Sequence, residues 1–256
     1  MLPALAIIGG TGLTALDNLL INRRETVATP YGVPSSPLSW GTLAGRTVVF
    51  LARHGDRHSL PPHRINYRAN LWALHQRGVR RIIAVAAVGG IRADMAPGVL
   101  AFPDQIIDYT WGRASTFFED HPAPVTHIDF TEPYCATLRA RLIDAARMLN
   151  LEAVCDPCTY AATQGPRLES AAEVRRLERD GCDIVGMTGM PEAALARELE
   201  MRYAACAVVA NRAAGKVAGP ITMAEIERNL VSGMVQTRML LERVISTLDE
   251  TEIRSS

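Results

Sequence analysis

The chain lacks an excess of charge of either sign, and this excludes several classes of protein. Its 256 residues include 27 Lys and Arg against 27 Asp and Glu, so the formal net charge at pH 7 is zero. Hydrophobic residues make up 48% of the chain. A disordered chain needs low hydrophobicity and a nucleic-acid-coating protein needs a basic surface, so both are disfavoured. The length suits one α/β core.

Long apolar runs are also missing. No segment approaches the ~20 apolar residues of a membrane-spanning helix. The apolar start over 1–8 lacks the basic residues of a secretory signal, and Gly9 and Gly10 interrupt it. We therefore interpret it as the first core strand and expect a cytoplasmic protein without a membrane partner.

Cysteine usage gives no metal site. The chain has five cysteines, an odd number that, without a signal peptide, fits a reducing cytoplasm. Cys155 and Cys158 form a lone CxxC pair. A zinc site would need a second pair or nearby His at ligand spacing, and neither is present. We expect no metal, and the role of this pair stays open.

Short apolar runs alternate with amphipathic stretches, which is typical of an α/β domain. The pattern predicts strands over 4–9, 47–52, 81–86, 100–107, 159–163, 183–185 and 203–210. It predicts helices over 67–77, 132–149, 171–180, 191–201 and 223–248, with Thr131 as the N-cap of the second and Gly181 ending the third. No Pro- or Ser-rich linker and no internal repeat divides the chain, so we expect a single domain over 1–256.

Polar groups follow several predicted strands. Thr11 lies in a glycine-rich turn that would let backbone N–H groups and a hydroxyl approach an anion, although a plain tight turn is the alternative. Arg53 and His54 follow the strand over 47–52, and ligands of α/β proteins bind at such strand ends. The Arg53 fork suits an oxyanion and His54 could donate beside it, unless this is only a basic surface loop. Thr188 is a further anion contact or a helix cap.

Glu169 and Asn211 are a carboxylate and a carboxamide that could read the edge of a 6-oxopurine. The carboxylate accepts the hydrogen on N1, and the amide donates to O6 or N7 and accepts from the other. Adenine has no hydrogen at N1, so this contact would be unpaired at a cost of ~1–3 kcal/mol or more. Small residues over 86–90 would let a flat ligand lie against backbone. The Glu–Asn pair alone is weak, because both residues are common.

Together these segments resemble the purine nucleoside phosphorylase superfamily, in particular its branch of methylthioadenosine and methylthioinosine phosphorylases. The resemblance covers nearly the whole chain and rests on eight ordered segments: IIGGTGL at 7–13, LARHGDRH at 51–58, INYRANLWAL at 65–74, AVGGIR at 87–92, DQIIDYT at 104–110, HIDFTEPYC at 127–135, TQGPRLES at 163–170 and DIVGMTGMPEAALARE at 183–198. It implies an α/β fold with a central mixed, partly barrel-like β-sheet flanked by helices. It also implies phosphorolysis, in which inorganic phosphate attacks C1′ of a purine nucleoside and free base departs.

The resemblance assigns residues to two parts of the site. The implied phosphate contacts are Thr11, Arg53, His54, the backbone at Ala87, and Thr188. The implied purine contacts are Val88, Gly89, Leu168, Glu169 and Asn211, with Asn211 as the catalytic residue that stabilises the departing base at N7. Ala86 stands where relatives carry Thr, so one hydroxyl contact to phosphate is missing. Phosphate is a co-substrate, and no cofactor is expected.

The remaining implied contacts lie at the sugar. Met187 matches the residue against the ribose, and His127 matches a position that family trimers contribute from a neighbouring subunit, so we expect a homotrimer or a dimer of trimers. Enzymes of ordinary inosine place a His near the 5′-hydroxyl, but the segment 218–224 has none. Its Ile221, Met223 and Ala224 would form an apolar pocket suited to a methylthio group.

We therefore expect phosphorolysis of 5′-methylthioinosine to hypoxanthine and 5-methylthioribose 1-phosphate. A general inosine and guanosine phosphorylase is the first alternative, and a methylthioadenosine phosphorylase is the second. Adenine-specific relatives place Asp where Asn211 and Ala213 stand, which disfavours the second. From another class, a noncatalytic nucleoside-binding protein is disfavoured by the full set of phosphate contacts. Acceptance of guanine stays open.

Overall fold

One sheet organises the molecule. The computed structural model describes residues 5–13, 16–119, 125–151, 153–154 and 157–248. Eleven strands within these ranges form the sheet: β1 (Leu5–Gly9), β2 (Leu20–Glu25), β3 (Leu38–Leu43), β4 (Arg46–Ala52), β5 (Arg81–Gly90), β6 (Leu100–Ala101), β7 (Gln105–Asp108), β8 (Ala153–Val154), β9 (Thr159–Ala162), β10 (Ile184–Gly186) and β11 (Arg202–Arg212). The helices are α1 (Tyr67–Gln76), α2 (Ala136–Met148), α3 (Ala171–Arg179), α4 (Gly189–Glu198) and α5 (Met223–Ser246). Among these described helices, none is long and apolar enough to cross a bilayer.

β5 is the centre of the sheet. Its first half lies between β1 and β11, and β4 follows beyond β1, so these four strands are mutually parallel. Its last residues, Gly89 and Gly90, stay paired with β11 and pair on their other side with the antiparallel strand β10, which takes the place of β1. The expected mixed sheet flanked by helices is therefore confirmed. No pairing among the described strands closes the sheet into a ring, and its barrel-like character stays a prediction.

Both faces of the sheet are covered by helices. Neighbouring residues of β1 point to opposite faces, as the period of a strand requires. Ile7 packs in the cluster that contains α2 and α5, whereas Ile8 packs in the cluster that contains α1 and α4. Every residue of β1 is consequently buried, which explains why such a strand is continuously apolar in the sequence.

Several predicted boundaries differ from the structure. β2 and β3 were not predicted, and the strand predicted over 100–107 is two strands, β6 and β7, separated around Pro103. α2 begins at Ala136 after Cys135 as N-cap, so the prediction of Thr131 as the cap was wrong. The hydroxyl and backbone N–H of Thr131 bond the Asp129 carboxylate instead, which forms a turn before the helix. Position 4 and Cys155 lie outside the described residues.

Candidate active site

A cavity of about 420 Å³ opens at the carboxyl ends of the parallel strands. This volume lies within the range of small-molecule sites, and the position is where α/β sheets bind ligands. The wall includes residues that follow or end four strands: Gly10 and Thr11 after β1, Arg53 and His54 after β4, Ala86, Ala87, Val88 and Gly89 in β5, and Ala210 and Asn211 in β11.

The turn after β1 packs tightly against the wall. A Cβ atom added to Gly10 would lie 2.6 Å from the Val85 carbonyl oxygen and 2.9 Å from Nη1 of Arg53. A side chain at position 10 would therefore displace the turn, and the glycine is required for this close approach. The turn presents the Thr11 hydroxyl 3.4 Å from Nε2 of His58. The prediction of a polar turn at the end of β1 thus has a structural basis.

Arg53 is almost fully buried, with 1% of its surface exposed. Its Nε and Nη2 each donate to a Glu192 carboxylate oxygen at 2.7 Å, and Nη1 donates to the Val85 carbonyl at 2.9 Å. Tyr203 also donates to Glu192, at 2.8 Å. Burial by itself lowers the pKa of Arg53, but the charge and hydrogen bonds of Glu192 outweigh it and raise that pKa above its usual value. Arg53 is therefore a permanent cation beside the cavity.

The pairing with Glu192 changes what Arg53 can offer a ligand. The sequence argument assigned the two-bond face of the guanidinium to an oxyanion, but in the structure Glu192 occupies that face. Three of the five N–H groups of Arg53 are used within the protein. One N–H on each terminal nitrogen remains to meet a ligand.

His54 is held in one tautomer. Its Nδ1 lies 2.8 Å from the Leu60 carbonyl oxygen, which only accepts, so Nδ1 carries the proton and Nε2 is the acceptor. Burial, followed by the charge of Arg53, lowers the pKa of His54 from 6.5 to about 4, although the bond to Leu60 opposes this. The ring stacks on His58 at 4.6 Å. His54 is therefore neutral at pH 7 and accepts through Nε2, whereas the sequence argument had it donate.

A β-bulge directs Asn211 into the cavity. The register of β11 against β5 shifts between Val209 and Asn211, so the strand gains one residue at this point. Such a bulge re-aims the side chains that follow it. Asn211 is 8% exposed, lines the cavity and donates through Nδ2 to the Arg212 carbonyl at 2.7 Å. The second amide N–H and Oδ1 remain for a ligand.

Glu169 is fixed from two sides. It lies in the loop between β9 and α3, where the Thr163 hydroxyl donates to its Oε1 at 2.6 Å. The next residue, Ser170, is the N-cap of α3 and forms a reciprocal capping box with Glu173. Glu169 and Asn211 therefore line the same cavity from two different elements.

The remaining predicted contacts also line the cavity, with two exceptions, His127 and the exposed Ala224 of the predicted 5′ pocket. Thr188 occupies the N-cap position of α4, but its side chain makes no capping hydrogen bond, so the simple cap role is not the one it has. Met187 lines the wall, and Leu168 and Met223 lie at its exposed rim. His127 is exposed and is not among the described residues that line this cavity.

Arg113 joins the two loops that carry these contacts. Its Nη1 donates to the carbonyl oxygens of Met187 at 2.8 Å and Met190 at 2.5 Å. Its Nη2 donates to those of Thr163 at 3.2 Å and Gln164 at 2.9 Å. One side chain thus holds the loop before α3 against the loop before α4.

Sequence reasoning missed five residues that shape the site, namely His58, Arg113, Thr163, Glu192 and Tyr203. His58 lies within the segment LARHGDRH, which was its available signal. Glu192 lies within the segment DIVGMTGMPEAALARE at 183–198, which gave no signal of its pairing with Arg53. Of the cysteine pair, Cys155 lies outside the described residues, and burial raises the pKa of the Cys158 thiol, which disfavours its thiolate form.

Comparisons with known proteins agree with this geometry. A sequence profile described as the phosphorylase superfamily matches residues 4–246. A protein of Pseudomonas syringae pv. tomato named probable S-methyl-5′-thioinosine phosphorylase is 58% identical over 241 residues, which cover 94% of this chain and 98% of that protein. The 6-oxopurine nucleoside phosphorylase of Pyrococcus furiosus is 49% identical over 231 residues, with 88% and 85% covered.

A solved structure gives the same result for the fold. The methylthioadenosine phosphorylase of Schistosoma mansoni, in complex with adenine, superposes with a TM-score of 0.92 at 31% identity and covers 97% of this chain and 94% of that chain. The match of the superfamily profile to nearly the whole chain, together with these relatives, shows that the chain belongs to the phosphorylase superfamily.

Proposed function

We propose that this chain catalyses the phosphorolysis of 5′-methylthioinosine to hypoxanthine and 5-methylthioribose 1-phosphate. The observation that carries the proposal is that Glu169 and Asn211 line one cavity with Thr11, His54 and Thr188. A base-reading pair and an anion-binding set thus face the same space. The names of the relatives from Pseudomonas syringae and Pyrococcus furiosus support a 6-oxopurine as the base.

Base selection rests on complementary hydrogen bonds. Glu169 has one oxygen bonded to Thr163 and a second that accepts the N1 hydrogen of hypoxanthine. Asn211 donates to N7 or O6 through its remaining N–H. An adenine base brings no hydrogen to N1, so the carboxylate would face a lone pair at a cost of ~1–3 kcal/mol. Val88, Gly89 and Leu168 supply the surface against the flat ring.

Phosphate binding follows from the charges at the other part of the wall. Arg53 is a buried cation with two N–H groups remaining, and the hydroxyls of Thr11 and Thr188 and the backbone at Ala87 add polar contacts. His54 is neutral, so its Nε2 accepts the hydrogen that monohydrogen phosphate still carries near pH 7. The site therefore suits the protonated dianion of phosphate.

The reaction needs no protein nucleophile. A phosphate oxygen forms a bond to C1′ while the bond from C1′ to N9 breaks, and the electron pair of that bond moves into the purine ring. Asn211 stabilises this charge by donating to N7, and N9 is protonated by solvent after release. Catalysis then comes from orientation of the two substrates and from electrostatic stabilisation of the leaving base. No cofactor is required beyond the phosphate co-substrate.

The sugar end of the cavity favours a methylthio group. Ile221, Met223 and Ile226 line the wall and present apolar surface, and Met187, which the resemblance places against the ribose, lines the same cavity. Among the described lining residues, the histidines are His54 and His58, and both belong to the loop after β4 beside Thr11. A 5′-hydroxyl would therefore meet apolar groups at this end. This arrangement disfavours inosine relative to methylthioinosine.

Base release from four nucleosides tests the proposal. Purified protein is given phosphate with methylthioinosine, methylthioadenosine, inosine or adenosine, and free base is measured. We expect kcat/KM to be highest for methylthioinosine by about tenfold or more, equivalent to ~1.4 kcal/mol. A preference for methylthioadenosine would overturn the roles of Glu169 and Asn211.

Two further outcomes of this experiment identify the alternatives. A preference for inosine would keep the base assignment and indicate a general 6-oxopurine nucleoside phosphorylase, the activity for which the Pyrococcus furiosus relative is named. Binding of nucleoside without any phosphate-dependent release of base would indicate a noncatalytic binding protein. Omission of phosphate is the matched control, because a phosphorylase releases base only when phosphate is present.

We also propose a cytoplasmic homotrimer, or a dimer of trimers, that acts in purine salvage as one domain over 1–256. His127 is exposed and outside the cavity of its own chain. A neighbouring subunit would bring its His127 to the sugar end of that cavity, as the resemblance implies. The assembly would then complete each site with one residue from another chain.

A further inference from the structure

Thr163 directly follows β9 and its position is closely fixed. Its backbone N–H donates to the Gly186 carbonyl at 2.8 Å, and its carbonyl accepts from Arg113 at 3.2 Å. Thr is also β-branched, which restricts the rotation of its side chain. The hydroxyl of Thr163 is therefore held in one place between β9 and β10.

That hydroxyl is directed at Glu169. It lies 2.6 Å from Oε1 of Glu169 and 3.3 Å from the Gly186 carbonyl oxygen. A hydroxyl has one hydrogen, and the shorter contact to an ionised carboxylate is the stronger of the two. The Gly186 carbonyl already accepts the backbone N–H of Thr163, so it does not depend on the hydroxyl.

The bond divides the two oxygens of Glu169 between two tasks. Oε1 is held by Thr163, and Oε2 is left to accept from a base. Thr163 is not among the described residues that line the cavity, so it acts on a ligand only through Glu169. Without this bond, the Glu169 side chain would be free to change rotamer before the base binds. Base binding would then have to fix the side chain, and the conformational entropy lost at that step would weaken binding.

We propose that Thr163 is a positioning residue that orients Glu169 toward the N1 hydrogen of a 6-oxopurine. The proposal rests on the proposed function, since it names how that specificity is set. It predicts that discrimination between bases with and without an N1 hydrogen depends on a hydroxyl that does not touch the base.

Variants at position 163 test this role. Thr163→Val removes the hydroxyl with little change of shape, Thr163→Ala removes it without adding a methyl group, and Thr163→Ser retains it. We expect Thr163→Val and Thr163→Ala to lower kcat/KM for methylthioinosine about tenfold, or ~1.4 kcal/mol. The KM for phosphate of both variants should stay within about twofold of wild type. For Thr163→Ser, kcat/KM for methylthioinosine should stay within about threefold of wild type.

A double-mutant cycle separates positioning from general damage to the fold. In a Glu169→Ala background, Thr163→Val should change kcat/KM less than about twofold, because its target is absent. An equal loss in both backgrounds, or a matching rise in the KM for phosphate, would overturn the proposal. If wild type releases no hypoxanthine from methylthioinosine, the proposed function is wrong and this inference falls with it. If wild type is active and both Thr163→Val and Thr163→Ala match it, only the inference is wrong.

Discussion

The Arg53 side chain is buried in the core and also lines the cavity. A buried cation is costly unless it is paired and hydrogen-bonded, and Glu192, Tyr203 and the Val85 carbonyl meet that requirement. The pair also prevents Arg53 from turning toward its ligand. The positive charge at the end of β4 is therefore set by folding and does not depend on phosphate.

The neutral state of His54 predicts a pH dependence of stability. An unfolded His titrates near 6.5, but burial lowers the pKa of His54 to about 4 in the folded protein. Between these values the unfolded chain binds the proton and the folded chain does not, so stability falls as pH drops from 6.5 toward 4. We expect His54→Asn, measured by urea unfolding, to lose less stability than wild type between pH 7 and pH 5. The expected difference is on the order of 1–2 kcal/mol. An identical loss in both proteins would contradict the assignment.

In the proposed mechanism, Asn211 both reads the base and stabilises its departure. Asn211→Asp replaces the amide donor by a carboxylate, which would repel the charge that develops on the departing purine. We expect kcat/KM for methylthioinosine to fall about 100-fold, as when a donor to a developing anion is removed. The KM for phosphate should change less than about threefold, which steady-state kinetics with each substrate varied separately would measure. Unchanged kcat/KM would remove Asn211 from the mechanism.

At the scale of elements, the sequence predicted the strands that are apolar throughout, but missed the exposed β2 and the buried, partly polar β3. β1 and the core of β11 are apolar throughout and were found. β2 contains Arg23, Arg24 and Glu25, lies exposed at the sheet edge and pairs with β3. Because neither face of β2 is buried, its sequence shows no alternation of apolar and polar residues that would predict a strand. The apolar run over 100–107 resembles one strand, but β6 pairs with β11 and β7 pairs with β9.

The candidate site shows a similar division. Residues at strand ends could be predicted, because the carboxyl ends of parallel strands meet at one edge. Glu192 could not, because it lies 139 residues from its partner Arg53 and no spacing rule connects them. Arg113 was missed for the same reason, because it contacts loops that only the fold brings together. Thr163 lies only 6 residues before Glu169, but the conformation of the loop between them decides whether the two side chains meet.

Arg113 predicts a coupling between two elements of the site. Its guanidinium bonds the loops before α3 and α4, which carry Glu169 and Thr188. We expect Arg113→Met to lower kcat/KM about 30-fold or more and to raise the KM values for nucleoside and phosphate together. Arg113→Lys should not restore activity, because an ammonium is a compact point charge that lacks the spread of a guanidinium.

The matched control for Arg113 is Arg176→Met. Arg176 lies on α3 and makes an exposed ion pair with Asp180 at 3.7 Å, which is worth ~0.5 kcal/mol or less. The kcat and the two KM values of Arg176→Met should remain close to those of wild type. If Arg113→Met changed the KM of only one substrate, Arg113 would act on one loop and not on both.

At the scale of the whole molecule, the cavity depends on nearly the entire chain. Its wall includes residues from the turn after β1 near the start of the chain to α5 near its end. β5 brings these parts together, because it pairs with both β1 and β11. Apart from 87–89, no short segment is assigned both proposed phosphate contacts and proposed base contacts. A site of this kind forms only when the sheet is complete, which accounts for a resemblance spread over eight segments.

The proposed assembly predicts that defective subunits can repair each other. If His127 acts in the neighbour's cavity, His127→Ala leaves a subunit with an intact cavity, and Asn211→Ala leaves one with an intact His127. We expect each variant alone to lose about tenfold or more in kcat/KM. When the two are coexpressed with different tags, each mixed trimer should restore about one site in three, because one cavity of the His127→Ala type then meets the intact His127 of an Asn211→Ala neighbour.

This recovery distinguishes a shared site from a site within one chain. The two-tag complex would be purified, its mass measured by light scattering, and its activity on methylthioinosine compared with that of each variant alone. Coexpressed Asn211→Ala and Glu169→Ala are the control, because both defects lie in the cavity of one chain and no mixed ring repairs that pair through His127. A monomeric mass, or a mixed complex no more active than the average of its parents, would contradict a site completed by the neighbour. Recovery to about a third of wild-type activity in the two-tag trimer requires that His127 cross a subunit boundary, which its exposure outside its own cavity permits.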